Sequence, residues 1–308
     1  MSEAVSREDS MERIGALMRR ATYASISVAG LLVAVKLVAW VETNSVSLLS
    51  SLIDSLLDGA ASLANLVAVR QALVPPDREH RFGHGKAEPL ASLGQAAFIT
   101  GSAVLLLVEA IQHLIHPQPI SNTRAGLAVM IFAVAVTVVL VLYQRYVVRR
   151  TGSLAVSVDA FHYRADLVLN LAVIAALVLT VEFGYVLIDP IFGAAIALWI
   201  IWGAWEVVNK AIVQLMDREL PDADRERIRA IALAHPEVRA VHDMKTRAAG
   251  PISFIQIHLE MDGDLPLTQA HRIADEVESR ILAAYPRSEV IIHEDPVGVA
   301  EPRAAYTR

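Results

Sequence analysis

The chain contains no cysteine, which excludes disulfides, thiolate metal sites and thiol nucleophiles outright. Charge is also scarce: Asp, Glu, Lys and Arg make up 19% of its 308 residues, against ~25% in a soluble domain. The small net charge of −6, from 27 basic and 33 acidic residues, gives no electrostatic reason to expect a nucleic-acid partner. Internal repeats and low-complexity segments are missing, as are a His-Glu-x-x-His helix motif and a Gly-x-Ser-x-Gly elbow. What is plentiful is apolar: 55% of residues are hydrophobic and the mean hydropathy is +0.45. That excess points to a bilayer.

A bilayer core of ~30 Å takes ~20 mostly apolar residues per helix. Six stretches meet this: Ala21–Val41, Val46–Leu73, Leu90–Leu114, Ala125–Val147, Leu154–Val181 and Tyr185–Val208. Glu42 to Asn44, the Pro75-Pro76 turn, Pro117 to Asn122, Arg149 to Gly152, and Gly184 separate them. From about Lys210 onward charged residues are frequent and no run could span a membrane. The expected organisation is an N-terminal cytoplasmic segment 1–20, a six-span domain 21–209, a cytoplasmic domain 210–296 and a tail 297–308. Arg7, Arg13, Arg19 and Arg20 precede the first span; Arg78, Arg81 and Lys86 lie between the second and third, and Arg145, Arg149 and Arg150 between the fourth and fifth. The remaining connections hold only Arg124, so both termini are expected to be cytoplasmic, in a cell (inner) membrane. No signal peptide is read at the start of the chain.

The polar region has its own periodicity. Asp222 to His235 reads as a helix, Val238 to Thr246 and Val290 to Asp295 as strands, and His271 to Tyr285 as an amphipathic helix with Ile273, Val277 and Ile281 at four-residue spacing. Ser253 to Met261 alternates strictly, with Ser253, Ile255, Ile257, Leu259 and Met261 on one face. The fold class expected is therefore a membrane all-α six-helix bundle followed by a cytoplasmic α+β domain of ferredoxin-like type, in the order αββαβ.

The informative residues are those a bilayer should reject. Asp54 and Asp58 lie mid-way along the second stretch, His162 and Asp166 in the fifth. Three carboxylates at mid-membrane would cost ~10 kcal/mol uncompensated, even on the lenient insertion scale. Each pair is four residues apart and projects from one helix face. On facing helices the two pairs supply one imidazole nitrogen and three carboxylate oxygens, a tetrahedral donor set suited to Zn²⁺. Fe²⁺, Co²⁺, Mn²⁺ and Cd²⁺ suit it as well. The alternative is that His162 and Asp166 hydrogen-bond along their helix while the aspartates pair with Lys36 or Arg164. Metal binding needs a neutral imidazole and ionised carboxylates, so it releases protons. A site open alternately to the two sides then exchanges metal for H⁺, with His162 as the natural carrier.

Asp54-x-x-x-Asp58, the loop from Asp77 through His80-Arg81-Phe82-Gly83-His84-Gly85-Lys86, and His162-x-x-x-Asp166 resemble the cation diffusion facilitator family. So do Phe254 to Met261 and Ile291 to Pro296. The resemblance runs from about Arg20 to Pro296. It implies that Asp54, Asp58, His162 and Asp166 form the transport site, and that Asp77, His80 and His84 form a second site in the loop. His242, His258, His271, His293 and Asp295 would form a binuclear site in the cytoplasmic domain, with Asp295 bridging. It further implies a homodimer joined through that domain, a salt bridge between Lys86 and Asp217 linking the two domains, and export of a divalent metal against protons. Zn²⁺ or a similar divalent transition metal would be both substrate and regulatory ligand. One departure is Glu294, which stands where the family pattern has Gln.

Without the resemblance, paired loop histidines are as readily solvated side chains as ligands, and a lone strand histidine is usually exposed. Four histidines and an aspartate from separate elements of one small domain are harder to dismiss. His113, His116 and His235 suggest no role, Glu109 and Lys36 are expected to snorkel, and Trp199, Trp202 and Trp205 suit an interfacial belt. The function expected is a secondary active transporter rather than an enzyme. The alternatives are a membrane-embedded metalloenzyme, for which four protein ligands leave no open position for water, and a metal sensor, which leaves the intramembrane carboxylates unexplained.

Overall fold

The computed structural model describes residues 2–43, 46–116, 124–183 and 187–299. The expected breaks at Asn44, Pro117 to Asn122 and Gly184, and the tail beyond residue 299, lie outside them. The chain divides into two compact units, one of them Glu12–Leu215 and the other formed chiefly by the residues from Met216 on.

Among the described residues the first unit holds six long helices: α1 (Ser2–Thr43), α2 (Val46–Ala72), α3 (Ala87–Ile115), α4 (Arg124–Thr151), α5 (Leu154–Phe183) and α6 (Ile188–Leu215). Five are long and apolar enough to cross a membrane by length and composition. α5 also carries Asp159, Arg164 and Asp166 within about two turns. α1 starts well before its apolar stretch, so the expected N-terminal segment continues into the first span as one helix.

Small residues set the closest packing. Ala96, Ala103 and Ala110 of α3 and Ala197, Ala204 and Ala211 of α6 recur at seven-residue spacing and are all buried. Between lipid-soluble helices association rests on such close backbone approach rather than on a hydrophobic gain. α5 packs against this pair through Leu154, Val158, Phe161 and Ala165. Its start is defined locally: Gly152, at φ +72°, ends α4 in the left-handed region. Ser153 then caps α5, its hydroxyl accepting the Val156 N–H at 3.2 Å.

The second unit runs α7 (Asp222–Leu233), β1 (Ala240–Ala249), β2 (Ile252–Met261), α8 (Leu267–Ala284), β3 (Ser288–Pro296). The sheet order is β1-β2-β3, antiparallel then parallel, so the expected αββαβ order is present. Ile255, Ile257 and Leu259 of β2 meet Ile228 of α7 and Ile273, Val277 and Ile281 of α8 in one core. α8 begins at Leu267, four residues before the expected start, because the fixed φ of Pro266 sets its entry.

Gly203 of α6 faces Phe161, where an added Cβ would fall 2.2 Å from the ring. That ring is buried and flanked by Trp199. Gly203→Ala should therefore destabilise the membrane unit by about 1–3 kcal/mol, read as a lower thermal midpoint of the detergent-solubilised protein. An unchanged midpoint would mean that the α5–α6 contact is slack.

Candidate metal centres

α2 and α5 bring three of the four intramembrane residues together. His162 Nε2 lies 3.0 Å from Asp58 Oδ1 and 3.8 Å from Asp166 Oδ2. Donor atoms around a tetrahedral ion with ~2.0 Å bonds sit about 3.3 Å apart, so these separations fit one coordination shell with small adjustment. Asp54, one turn from Asp58, lines the same cavity of about 400 Å³ without joining the close cluster. Phe98, Ile99 and Ala103 of α3 and Ile200 of α6 form apolar walls of that cavity. The alternative partners have hydrogen-bond and ring contacts of their own. Lys36 Nζ donates to Ser55 Oγ at 2.6 Å and to the Ser51 carbonyl at 3.1 Å, while the Arg164 guanidinium lies over Phe161. Lys36 therefore ties α1 to α2 rather than snorkelling.

Two buried carboxylates escaped the sequence reading. Asp159, one turn before His162, accepts from Ser25 at 2.5 Å and Gln144 at 2.7 Å on one oxygen, and from Gln95 at 3.4 Å on the other. The Tyr163 hydroxyl donates to the Ser25 carbonyl and meets Ser62. One polar knot thus pins α5 to α1, α2, α3 and α4. Glu88 of α3 accepts from the Ser153 hydroxyl and, at 3.0 Å, from the Ala155 N–H, so it completes the cap of α5. The signal for both was the rule that flagged Asp54: a carboxylate in or beside an apolar run needs a partner.

In the loop between α2 and α3, Asp77 Oδ1 accepts the backbone N–H groups of Glu79 and His80 at 2.9 and 2.6 Å. Its carboxylate lies 3.3 Å from His80 Nδ1 and 3.4 Å from His84 Nε2. Gly83, at φ +76°, turns the chain between the two histidines. When His84 Nδ1 donates to the Val74 carbonyl, 3.3 Å away, Nε2 keeps its lone pair facing Asp77, the orientation a ligating imidazole needs.

The third cluster lies on the open face of the sheet. His242 pairs with His258 across β1 and β2, and His258 and Glu260 pair with His293 and Asp295 across β2 and β3. Strict alternation would put His242 on the face of Thr246, which is buried opposite Ile255. A bulge between His242 and Lys245, with Asp243 at φ 42°, shifts the parity and brings His242 beside His258. Asp295, 5% exposed, receives them all: Oδ2 lies 2.8 Å from His258 Nδ1 and 3.2 Å from His242 Nε2, and Oδ1 lies 3.2 Å from His293 Nε2. Glu260, not anticipated from sequence, stands 3.0 Å from His242 Nδ1. His271 is not brought into this group. Its ring is exposed on α8, 3.8 Å from Glu294 and from Asp275.

Lys86 and Asp217 fall in different units. Lys86 donates to the Leu215 carbonyl at 3.5 Å, and Asp217 accepts from Arg247 at 3.4 Å.

Two family descriptions match most of the chain: "Cation efflux transmembrane domain" over residues 22–216, and "Cation efflux protein, cytoplasmic domain" over residues 220–297. The chain belongs to the cation efflux family. The cation-efflux pump FieF of Cronobacter sakazakii is 49% identical over 92% of this chain and 95% of its own length. FieF of Klebsiella pneumoniae is 47% identical over the same shares. Among solved structures, the metal-bound C-terminal domain of the CzcD transporter from Thermotoga maritima is 28% identical, covering 26% of this chain and 93% of its own (TM-score 0.25). The family resemblance read from the motifs is thereby established, and such proteins are cation transporters rather than enzymes.

Two outcomes test these clusters. Asp295→Ala removes the acceptor shared by three imidazoles, and the affinity of the tail for Zn²⁺ as a probe should fall by more than about tenfold; an unchanged calorimetric isotherm would remove Asp295 from the ligand set. The Asp77 carboxyl is held below the usual aspartate range, first by the His80 N–H. A depressed value means the turn is stabilised by the ionised form and loosens only as pH falls through that value. Exchange protection of the Glu79 and His80 amides should therefore persist down to about pH 4, and its loss between pH 7 and 5 would contradict the turn.

Proposed function

We propose that this protein exports a divalent transition metal from the cytoplasm in exchange for protons, with Zn²⁺ as the best-fitting substrate and Fe²⁺, Cd²⁺ and Co²⁺ as chemical neighbours. The observation that carries this reading is the Asp58–His162–Asp166 cluster, with Asp54 on the wall of the same cavity, inside a unit of apolar helices. Nitrogen and hard oxygen donors without sulfur favour Zn²⁺ over Cu(I), and the imidazole disfavours Mg²⁺ and Ca²⁺.

The coupling follows from the donors. Metal enters when the His162 imidazole is neutral and the carboxylates are ionised, and it leaves when protons take those positions. Alternate exposure of the cavity to the two sides then moves metal one way and H⁺ the other. The protein acts in the cell inner membrane with both termini cytoplasmic, an orientation supported by the basic residues before α1, between α2 and α3, and between α4 and α5.

The tail senses the metal it exports. Asp295 divides its oxygens between His242 and His258 on one side and His293 on the other, an arrangement suited to bridging two ions. His271 completes the second ion's ligands, with Glu294 beside it. Two protomers join through this domain, and metal there biases the gate only so far as it binds the two arrangements unequally. Asp77, His80 and His84 form a loop site of modest affinity.

The test is Zn²⁺ flux in proteoliposomes under an imposed pH gradient. Asp58→Ala and Asp54→Ala should abolish flux and the accompanying proton movement. Undiminished flux in both would reject the assigned site, and metal flux indifferent to the gradient would reject antiport.

A further inference from the structure

The midspan cavity is not closed at its site. On α3 its wall runs from Phe98 through Ser102 and Leu106 to Glu109, and a second cavity of about 190 Å³ takes over Leu106 and Glu109 and continues to His113. Leu169 of α5 also lines both. Phe98 to His113 spans about 20 Å of helix at 1.5 Å per residue. The two spaces share these walls and lie in succession from His162 toward the end of the bundle where α3 finishes and α6 begins. The far wall of the second is formed by Asp189, Phe192 and Gly193 of α6.

Three titratable side chains line this outer stretch: Glu109, His113 and Asp189. Glu109 and His113 are four residues apart and share a face of α3. A glutamate within an apolar span is costly against lipid, and a cation at the cavity wall would offset that cost. Glu109 is exposed near the end of α3 and lines both cavities. These groups are not among the close His/carboxylate clusters found in the described residues. A cation there keeps part of its water and binds weakly, which is what a passage requires and a trap does not.

We propose that Glu109, His113 and Asp189 form a second station for a divalent transition cation, weaker than the midspan site, on the route between that site and the far end of the bundle. The inference rests on the reading that the midspan cluster transports metal. The station receives the ion as the midspan ligands take up protons, so it shortens the step from a three-carboxylate site to open water.

The experiment compares the full-length wild type with Glu109→Gln, Asp189→Asn and, as the conservative control, Glu109→Asp. Zn²⁺ flux in proteoliposomes is measured against zinc concentration, and zinc binding by calorimetry in a His84→Ala, His258→Ala background that weakens the loop and tail sites. Glu109→Gln is expected to lower maximal flux about tenfold, equivalent to ~1.4 kcal/mol on the barrier. The tight binding event should be unchanged, a weaker one should disappear, and Glu109→Asp should restore most of the flux. Wild-type flux in both Glu109→Gln and Asp189→Asn would overturn the station, as would equal losses in Glu109→Gln and Glu109→Asp accompanied by a lower thermal midpoint. Were the wild type itself to carry no zinc, the transport reading would fail. The station would then stand on the weak binding event lost in Glu109→Gln, and fall if the isotherms matched.

Discussion

Carboxyl groups inside an apolar bundle are the constraint on which the rest of this molecule depends. Each costs several kcal/mol against lipid unless donors or a cation surround it. The bundle answers in two ways. Asp159 and Glu88 are enclosed by neutral donors from neighbouring helices, and they fix α5 at its middle and its start. Asp54, Asp58 and Asp166 face a cavity, with His162 3.0 Å from Asp58. The first group are joints; the second border open space. One residue type serves both purposes because the neighbourhood differs, not the side chain.

α5 is where these demands meet. It packs against α2, α3, α4 and α6. Ser153 and Glu88 cap its N-terminus, the Asp159 knot sets its rotation, and Phe161 fills the space left by Gly203. Those contacts leave His162 and Asp166 only one face on which to project, toward α2. A rigid scaffold of this kind makes a metal site accurate, because ligand placement within about 0.5 Å is set by supporting contacts rather than by the ligands.

Much of this was legible in the sequence, and the reasons for the exceptions are physical. The spacing of Asp54, Asp58, His162 and Asp166 announced a shared cavity because i, i+4 geometry is a property of any helix. It did not announce that Asp54 stands apart from the close cluster, since that depends on how α2 is rotated against α5. The strict alternation of β2 placed His258 correctly. The same rule applied to β1 would have sent His242 into the core, and only the bulge at Asp243, which has no signature in period-two patterning, returns it to the open face. His271 was grouped with the tail ligands by resemblance, and within one chain it faces Glu294 instead. Glu109 was read as a snorkelling residue because proximity to a span end is visible in sequence and a cavity wall is not.

The tail and the bundle carry the same donor types with opposite exposure. In the bundle the donors border an apolar enclosure, where electrostatic interactions are strong. On the sheet, Asp295 is buried not by lipid or core but by the imidazoles around it. Its Oδ2 sits between His258 and His242 and its Oδ1 beside His293, so three imidazoles are gathered round one carboxylate. Asp54, Asp58 and Asp166 instead line open space. The same donor types are thus drawn together by one another on the sheet and by a shared cavity in the bundle.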